Sequence, residues 1–173
     1  MKQIIKEQYY DSPCGKIVLA SIDDKLCLCE WYEHPSAKRS QRRLERVLKA
    51  EFRTFSSPII EQTKQELDEY FSGKRKSFDI PLLTVGTDFQ KQVWDALLEI
   101  PYGETKFYKE IALRVNNLKA VRAVAQAIGS NGISILIPCH RVIGSNHSLT
   151  GFAGGIEAKK NLLDIESENS GRK

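Results

Sequence analysis

The chain lacks what would hold it in a membrane or send it across one. Nowhere do eighteen apolar residues run together, so a spanning helix is excluded. The start, Met1-Lys2-Gln3-Ile4-Ile5-Lys6-Glu7, is too polar for the apolar segment of a secretory signal. A cytoplasmic protein is therefore expected. Cysteine is sparse as well: Cys14, Cys27, Cys29 and Cys139 are the four, and a reducing compartment favours free thiols over two disulfides. Cys27 and Cys29, joined by Cys14 or His34, match no standard zinc spacing, so packing is their expected role and no metal is assigned. A large charge of one sign is missing too, since a net +4 over 173 residues does not by itself demand a nucleic-acid partner.

What remains is an ordinary globular composition, 41% hydrophobic, enough for one domain or two small ones. The first thirty-odd residues alternate as strands: Glu7 to Asp11, a turn at Ser12-Pro13-Cys14-Gly15, Lys16 to Ser21, a turn at Asp23-Asp24, then Lys25 to Tyr32, an antiparallel meander. From Ser36 the period becomes helical. Leu44, Val47, Leu48 and Phe52 mark one face, and Lys38, Arg39, Arg42, Arg43, Arg46 and Lys49 mark the other. That basic face suits phosphate or plain solvation, and Glu45 and Glu51 interrupting it favour solvation. A second helix is expected from Glu61 to Phe71, with Leu67, Tyr70 and Phe71 inward and Gly73 as its stop. Ser77 to Gly86 reads as a connection, which places an N-terminal α/β domain at 1–81 and a helical domain at 82–173.

In the second half, Thr87 or Asp88 caps a helix carrying Phe89, Val93, Trp94, Leu97 and Ile100, stopped by Pro101-Tyr102-Gly103. Thr105 is the expected cap of the next helix, which runs through Val115 and buries Phe107, Ile111, Ala112 and Val115. After Asn116-Asn117, a helix from Leu118 to Ile128 has Val121, Val124, Ala125 and Ile128 inward and small Ala120, Ala123 and Ala127 elsewhere. Gly129 ends it. This pair satisfies a helix-turn-helix pattern, as does plain helical packing. Six Lys/Arg against two Glu between Pro101 and Val142 favour DNA.

The apolar run Ile133 to Ile137 reads as a buried strand that delivers Cys139 to its exit, since Pro138 fixes φ and ends sheet pairing. His140 and Arg141 then supply positive charge beside the thiol, the setting in which a thiolate becomes populated near neutral pH. A lone cysteine is more often a small buried hydrophobe; the bend and the adjacent ionisable groups favour a nucleophile. In an extended segment neighbours point apart, so His140 would reach the sulfur through a water. Gly144, Gly151, Gly154 and Gly155 suggest a binding loop walled by Phe152. A short helix from Ile156 to Ile165, ending at Glu166, and a disordered Ser167 to Lys173 complete the chain.

Taken together, Gly86-Thr87-Asp88-Phe89-Gln90, Val93-Trp94, Ile100 to Thr105, Tyr108, Arg122-Ala123-Val124, Asn131, Ile137 to Val142, Thr150 to Gly155, Lys159 and Leu162-Leu163 resemble the methylated-DNA protein-cysteine methyltransferases, which repair O6-alkylguanine in DNA. The first half is similar more loosely, through Ser12-Pro13, Gly15 and Leu67 to Arg75. One departure is Gly132 after Asn131, where the family usually has proline. The resemblance implies an α+β chain with a ribonuclease-H-like N-terminal domain and a mostly helical, winged helix-turn-helix-like C-terminal domain. It implies that Cys139 accepts the alkyl group, His140 deprotonates it through water, Glu166 orients the imidazole, Tyr108 protonates the departing base and Asn131 holds the turn before the cysteine. It assigns DNA contact to Arg122, Thr105, Ala120, Ala123, Ala127 and Arg141, and the base pocket to Val142, Phe152 and Ala153. Double-stranded DNA containing alkylated bases is the implied partner, the acceptor is stoichiometric, and no cofactor or metal is implied. A monomer is expected. O4-alkylthymine is open to the same chemistry. A non-catalytic sensor of alkylated bases is the alternative of another class, and a cysteine hydrolase finds no oxyanion-hole motif in support.

Overall fold

The computed structural model describes residues 2–147, 149 and 152–170. The chain divides between Val85 and Gly86 into two compact units. Among the described residues no helix is long and apolar enough to cross a membrane.

The first unit is a four-stranded sheet with helices on both faces. Strands β1 (Gln3–Ser12), β2 (Gly15–Ile22) and β3 (Lys25–Trp31) form the expected meander, with Tyr9 opposite Val18 and Val18 opposite Glu30. The β2–β3 turn is Asp23-Asp24 with φ of 50° and 61°, the double left-handed geometry that matches strand twist in a two-residue hairpin. A fourth strand, β4 (Ala50–Thr54), joins β1 in parallel and gives the order β3-β2-β1-β4. That strand corrects the sequence reading, in which one helical face runs on to Phe52. Helix α1 (Pro35–Leu48) ends where Lys49 takes φ 50°, so Phe52 belongs to β4 and Val47 is left 53% exposed. Helix α2 (Pro58–Phe71) begins three residues earlier than expected, because the Ser57 hydroxyl accepts from Ile60 N–H and Pro58 occupies the first turn.

β2 lies between two layers and is buried from Ile17 to Ile22. Val18, Ala20 and Ile22 join Ala37 and Leu44 of α1 in one core cluster. The opposite face meets α2, where Tyr10 donates to Asp68 at 2.6 Å and Ser21 bonds the Ser57 cap at 2.7 Å. Cys27 is part of the α1-side core, its thiol pushed up to about 12 by burial. Past α2, Leu26 N–H donates to Pro81 O and Leu83 N–H to Leu26 O, so the unit continues beyond the boundary set at 81/82.

The second unit is mostly helical. Helix α3 (Asp88–Leu98) opens on a capping box in which Thr87 and Gln90 satisfy each other's backbone N–H groups. Its Trp94 donates to Ala127 O at 2.8 Å. A two-residue strand β5 (Lys106–Phe107) leads into α4 (Tyr108–Arg114). Thr105 lies too early to cap α4; Phe107 is the cap position and Glu110 accepts from its N–H at 2.8 Å. After a turn at Asn116 (φ 59°), the single helix expected from Leu118 is a 3₁₀ turn (Leu118–Ala120) followed by α5 (Val121–Gly129). β6 (Val142–Ile143) pairs in parallel with β5. Helix α6 (Ile156–Asn169) passes through Glu166 rather than ending there, and Ser167 to Asn169, expected to be disordered, are helical. Residues 171–173 lie outside the described residues.

Gly103 sits at φ +82°, and a Cβ there would lie 2.6 Å from Ser170 Cβ. A left-handed residue other than glycine costs about 1–2 kcal/mol before any clash. Gly103→Ala is therefore expected to destabilise the second unit by at least that amount, seen as a lowered urea midpoint at unchanged slope; an unchanged midpoint would contradict the tight approach.

Candidate active site

The cysteine is not delivered by a strand. Ile135 takes φ 73°, a region a β-branched residue rarely occupies, and Leu136 N–H donates to Ser134 O two residues back at 2.9 Å, a γ-turn. Pro138 then adopts φ −80°, ψ 64°, and Cys139 N–H donates to Ile137 O at 2.7 Å, an inverse γ-turn. Two reversals in the six residues from Ser134 to Cys139 replace the expected strand and its exit, and Cys139 opens a 3₁₀ turn, Cys139–Arg141. The Asn131 side chain pins this segment: its Nδ2 donates to Ile137 O and its Oδ1 accepts from Ile133 N–H, both at 3.0 Å. Burial of every residue from Asn131 to Val142 opposes the local strain.

His140 Nε2 and Glu166 Oε2 lie 2.6 Å apart, with both side chains fully out of solvent. Arg141 grips the same carboxylate with two nitrogens, Nε to Oε1 at 2.7 Å and Nη2 to Oε2 at 3.1 Å. Its Nη1 donates to Ile100 O at 2.7 Å, and the guanidinium lies over the Tyr102 ring. Arg141 is thus committed to the interior, which corrects its assignment to the DNA surface. Burial alone would raise the Glu166 carboxyl, but hydrogen bonds and charge from His140 and Arg141 outweigh it and hold it down to about 2. Burial, with the charges of Arg141 and Lys159, pushes His140 below the ordinary imidazole range despite Glu166. A neutral ring beside an ionised carboxylate donates through Nε2–H, which leaves Nδ1 with its lone pair. That Nδ1 is buried and has no hydrogen-bond partner among the described residues. A buried acceptor of this kind calls for a water or a ligand.

Cys139, Tyr108, Asn131, Phe152 and Ala153 line one narrow cavity of about 20 Å³, together with Ser134 and Lys159. That is room for roughly one water. Val142, expected in the base pocket, is not among the cavity's lining residues; it is fully buried, and its carbonyl accepts from Lys159 Nζ at 2.6 Å. Sequence reasoning gives Lys159 no role, although Lys159, Leu162 and Glu166 fall at helical spacing on the buried side of α6. A lysine and a glutamate on an apolar stripe are the available signal. Among the expected DNA contacts, Arg122, Ala123 and Thr105 are exposed and Ala120 is half-buried. Ala127 is only 3% exposed and its carbonyl is taken by Trp94, so it belongs to the core. Of the expected glycine loop, Ser148, Thr150 and Gly151 lie outside the described residues.

Residues 5–84 match the family described as 6-O-methylguanine DNA methyltransferase, ribonuclease-like domain, and residues 88–168 match its DNA binding domain. A methylated-DNA--protein-cysteine methyltransferase of Methanosarcina barkeri is 44% identical over 164 residues, 93% of this chain and 98% of that one. The chain belongs to the 6-O-methylguanine DNA methyltransferase family. A Haemophilus influenzae relative of the same name is 42% identical over 91% of this chain and 84% of its own. Among solved structures, Mycobacterium tuberculosis O6-methylguanine methyltransferase superposes with a TM-score of 0.80 at 38% identity, covering 95% of this chain and 94% of that one. The M. tuberculosis protein in complex with DNA gives 0.79 at 37%, with 96% and 94% covered. The ribonuclease-like first domain and helical DNA-binding second domain of the family correspond to the two units described above.

Removing the Glu166 charge leaves Arg141 buried without its anion, a change that costs about 3–5 kcal/mol. Glu166→Gln is expected to lose that much at pH 7. The folded carboxyl titrates near 2 and the unfolded one near about 4.3, so the pairing stabilises above the unfolded value and is lost as pH falls between the two. The gap between wild type and Glu166→Gln, measured by urea unfolding, should narrow on acidification through that window; a gap independent of pH would contradict the assignment.

Proposed function

We propose that the protein repairs DNA by direct reversal, moving the alkyl group of O6-alkylguanine in duplex DNA irreversibly to Cys139. The observation that carries the residue assignment is the buried His140 ring, held by Glu166 through one nitrogen and open at the other, next in sequence to a cysteine that lines a cavity. The Cys139 proton passes through a water to His140 Nδ1, and Glu166 stabilises the resulting imidazolium. The thiolate attacks the alkyl carbon in line; the S–C bond forms as the C–O6 bond breaks, and the electron pair goes to the purine. Tyr108, on the cavity wall, donates a proton so that guanine leaves neutral. Asn131 holds the turn, and Phe152, Ala153 and the backbone at Val142 receive the base.

A stacked guanine cannot reach Cys139, so the nucleotide is extruded, at a cost of a few kcal/mol that is smaller for a damaged pair. Exposed Arg122, on the first turn of α5, fills the vacated stack, and small Ala123 and Ala120 admit close minor-groove approach. A thioether is not readily hydrolysed, so each molecule acts once and needs no cofactor. Every residue of this chemistry comes from one copy of the second unit, which supports a monomer. Four free cysteines support a reducing, cytoplasmic setting.

Incubation with excess duplex containing one O6-methylguanine is expected to add one methyl to the intact mass, on the Cys139 peptide. More than one per chain, or an adduct elsewhere, would contradict the assignment. Cys139→Ala should bind the same duplex with unchanged salt dependence and take no methyl. Tyr108→Phe should slow single-turnover transfer by about 10²-fold or more at unchanged affinity. Because His140 is depressed, the transfer rate should hold as pH falls through about 6.5, the ordinary imidazole value, and decline only below it. A rate halved at that pH would argue against a buried neutral base.

A further inference from the structure

Helix α1 carries a row of cations that the proposed function does not use. At 100° per residue, Lys38, Arg39, Arg42 and Arg46 fall within an arc of about 100°, and Lys49, the left-handed cap just past the helix, follows them in sequence. The buried Ser36, Ala37, Ser40 and Leu44 occupy the opposite side. From Lys38 to Lys49 the row runs roughly 16 Å along the axis. All five are exposed, and none makes an ion pair among the described residues. Arg43 differs: it is half-buried and faces the charge of buried Glu30. Glu45, the one acid on the helix, lies at the edge of the arc, close enough to Glu7 for the two charges to interact.

Local stability does not account for this row. Arg46 and Lys49 near the C-terminal end are favoured by the helix dipole, but Lys38 and Arg39 stand toward the N-terminal end, where cations are disfavoured and where α1 has no acid. Nor does the arc hold an aromatic or apolar anchor of the kind that dominates protein interfaces. A regularly charged polyanion needs neither. Duplex DNA presents about one phosphate charge per 1.7 Å of axis, so a row of this length faces roughly ten.

We propose that the exposed face of α1 is a second, sequence-independent DNA-backbone contact, carried by the first unit and separate from the Cys139 site. It rests on duplex DNA being the substrate of the proposed function. Its role is to hold the protein on undamaged duplex, through counterion release rather than base reading.

The test is the full chain with Arg39→Gln, Arg42→Gln and Arg46→Gln combined, glutamine keeping helix propensity close to that of arginine. Binding to an undamaged duplex is followed by fluorescence anisotropy between 50 and 200 mM KCl. Each cation withdrawn from the phosphates should reduce the slope of log affinity against log salt by about 0.9, so the triple variant should be shallower by about 2.7 and bind at least tenfold more weakly at the lowest salt. Methyl transfer from O6-methyl-2′-deoxyguanosine, which has no phosphate backbone, and the melting temperature should stay at wild-type values. An unchanged slope with intact transfer overturns the α1 contact alone. An unchanged DNA slope together with abolished binding to a polyglutamate peptide overturns it in favour of an acidic protein partner. Absence of transfer from both nucleoside and damaged duplex in the wild-type chain instead overturns the proposed function.

Discussion

The carboxylate of Glu166 is the point on which the second unit depends. An isolated buried carboxylate costs several kcal/mol, and here Arg141 and His140 meet both of its oxygens, with Gly103 N–H donating to Oε1 at 3.4 Å as well. The same contacts fix three separate stretches of chain. Glu166 comes from α6, His140 and Arg141 from the 3₁₀ turn after Pro138, and Arg141 extends to Ile100 O at the end of α3. Lys159, on the same buried side of α6 as Glu166, adds a second tie through Val142 O. The ring of His140, the proposed base, is therefore oriented by the interaction that also holds the helices together, and burial in the same interior favours its neutral form.

That anchoring is what allows the reactive residue to stand on an irregular segment. A left-handed Ile135 and an inverse γ-turn at Pro138 are unfavourable in isolation, and neither supplies a sheet ladder. Here the backbone groups are satisfied by the Asn131 amide and by short local hydrogen bonds, with apolar side chains sealed above them. Gly132, in place of the proline usual to the family, sits inside this frame and removes none of its hydrogen bonds.

The parts legible in the sequence are those governed by near neighbours. The meander follows from alternation and from turn residues that tolerate positive φ, and the Thr87–Gln90 capping box sits where the sequence places a helix start. The Cys139-His140 pair is recognisable because proline, thiol and imidazole adjoin. Strand β4 escapes a sequence reading because five residues, Ala50 to Thr54, carry too little pattern and gain stability from β1, some forty-seven residues away. The run Ile133 to Ile137 reads as a strand because continuous apolarity marks any buried segment, extended or turned.

Charge is the quantity that the sequence can count but not place. Its motifs carried the family resemblance: a cysteine next to an imidazole after a proline, and a helix pair with local positive charge, while the role proposed for Glu166 came only from that resemblance. Tertiary structure decided which cations serve that chemistry. Arg141, read in sequence as positive charge beside the thiol and assigned to DNA contact, is the inward clamp on Glu166; Ala127, expected at the surface, is core; Lys159, given no role, lines the cavity. The physical reason is that a side chain's type fixes what it can bond to, whereas its burial and partners depend on residues distant in sequence. Those distant partners set whether a charge is paired in the interior or presented to a ligand.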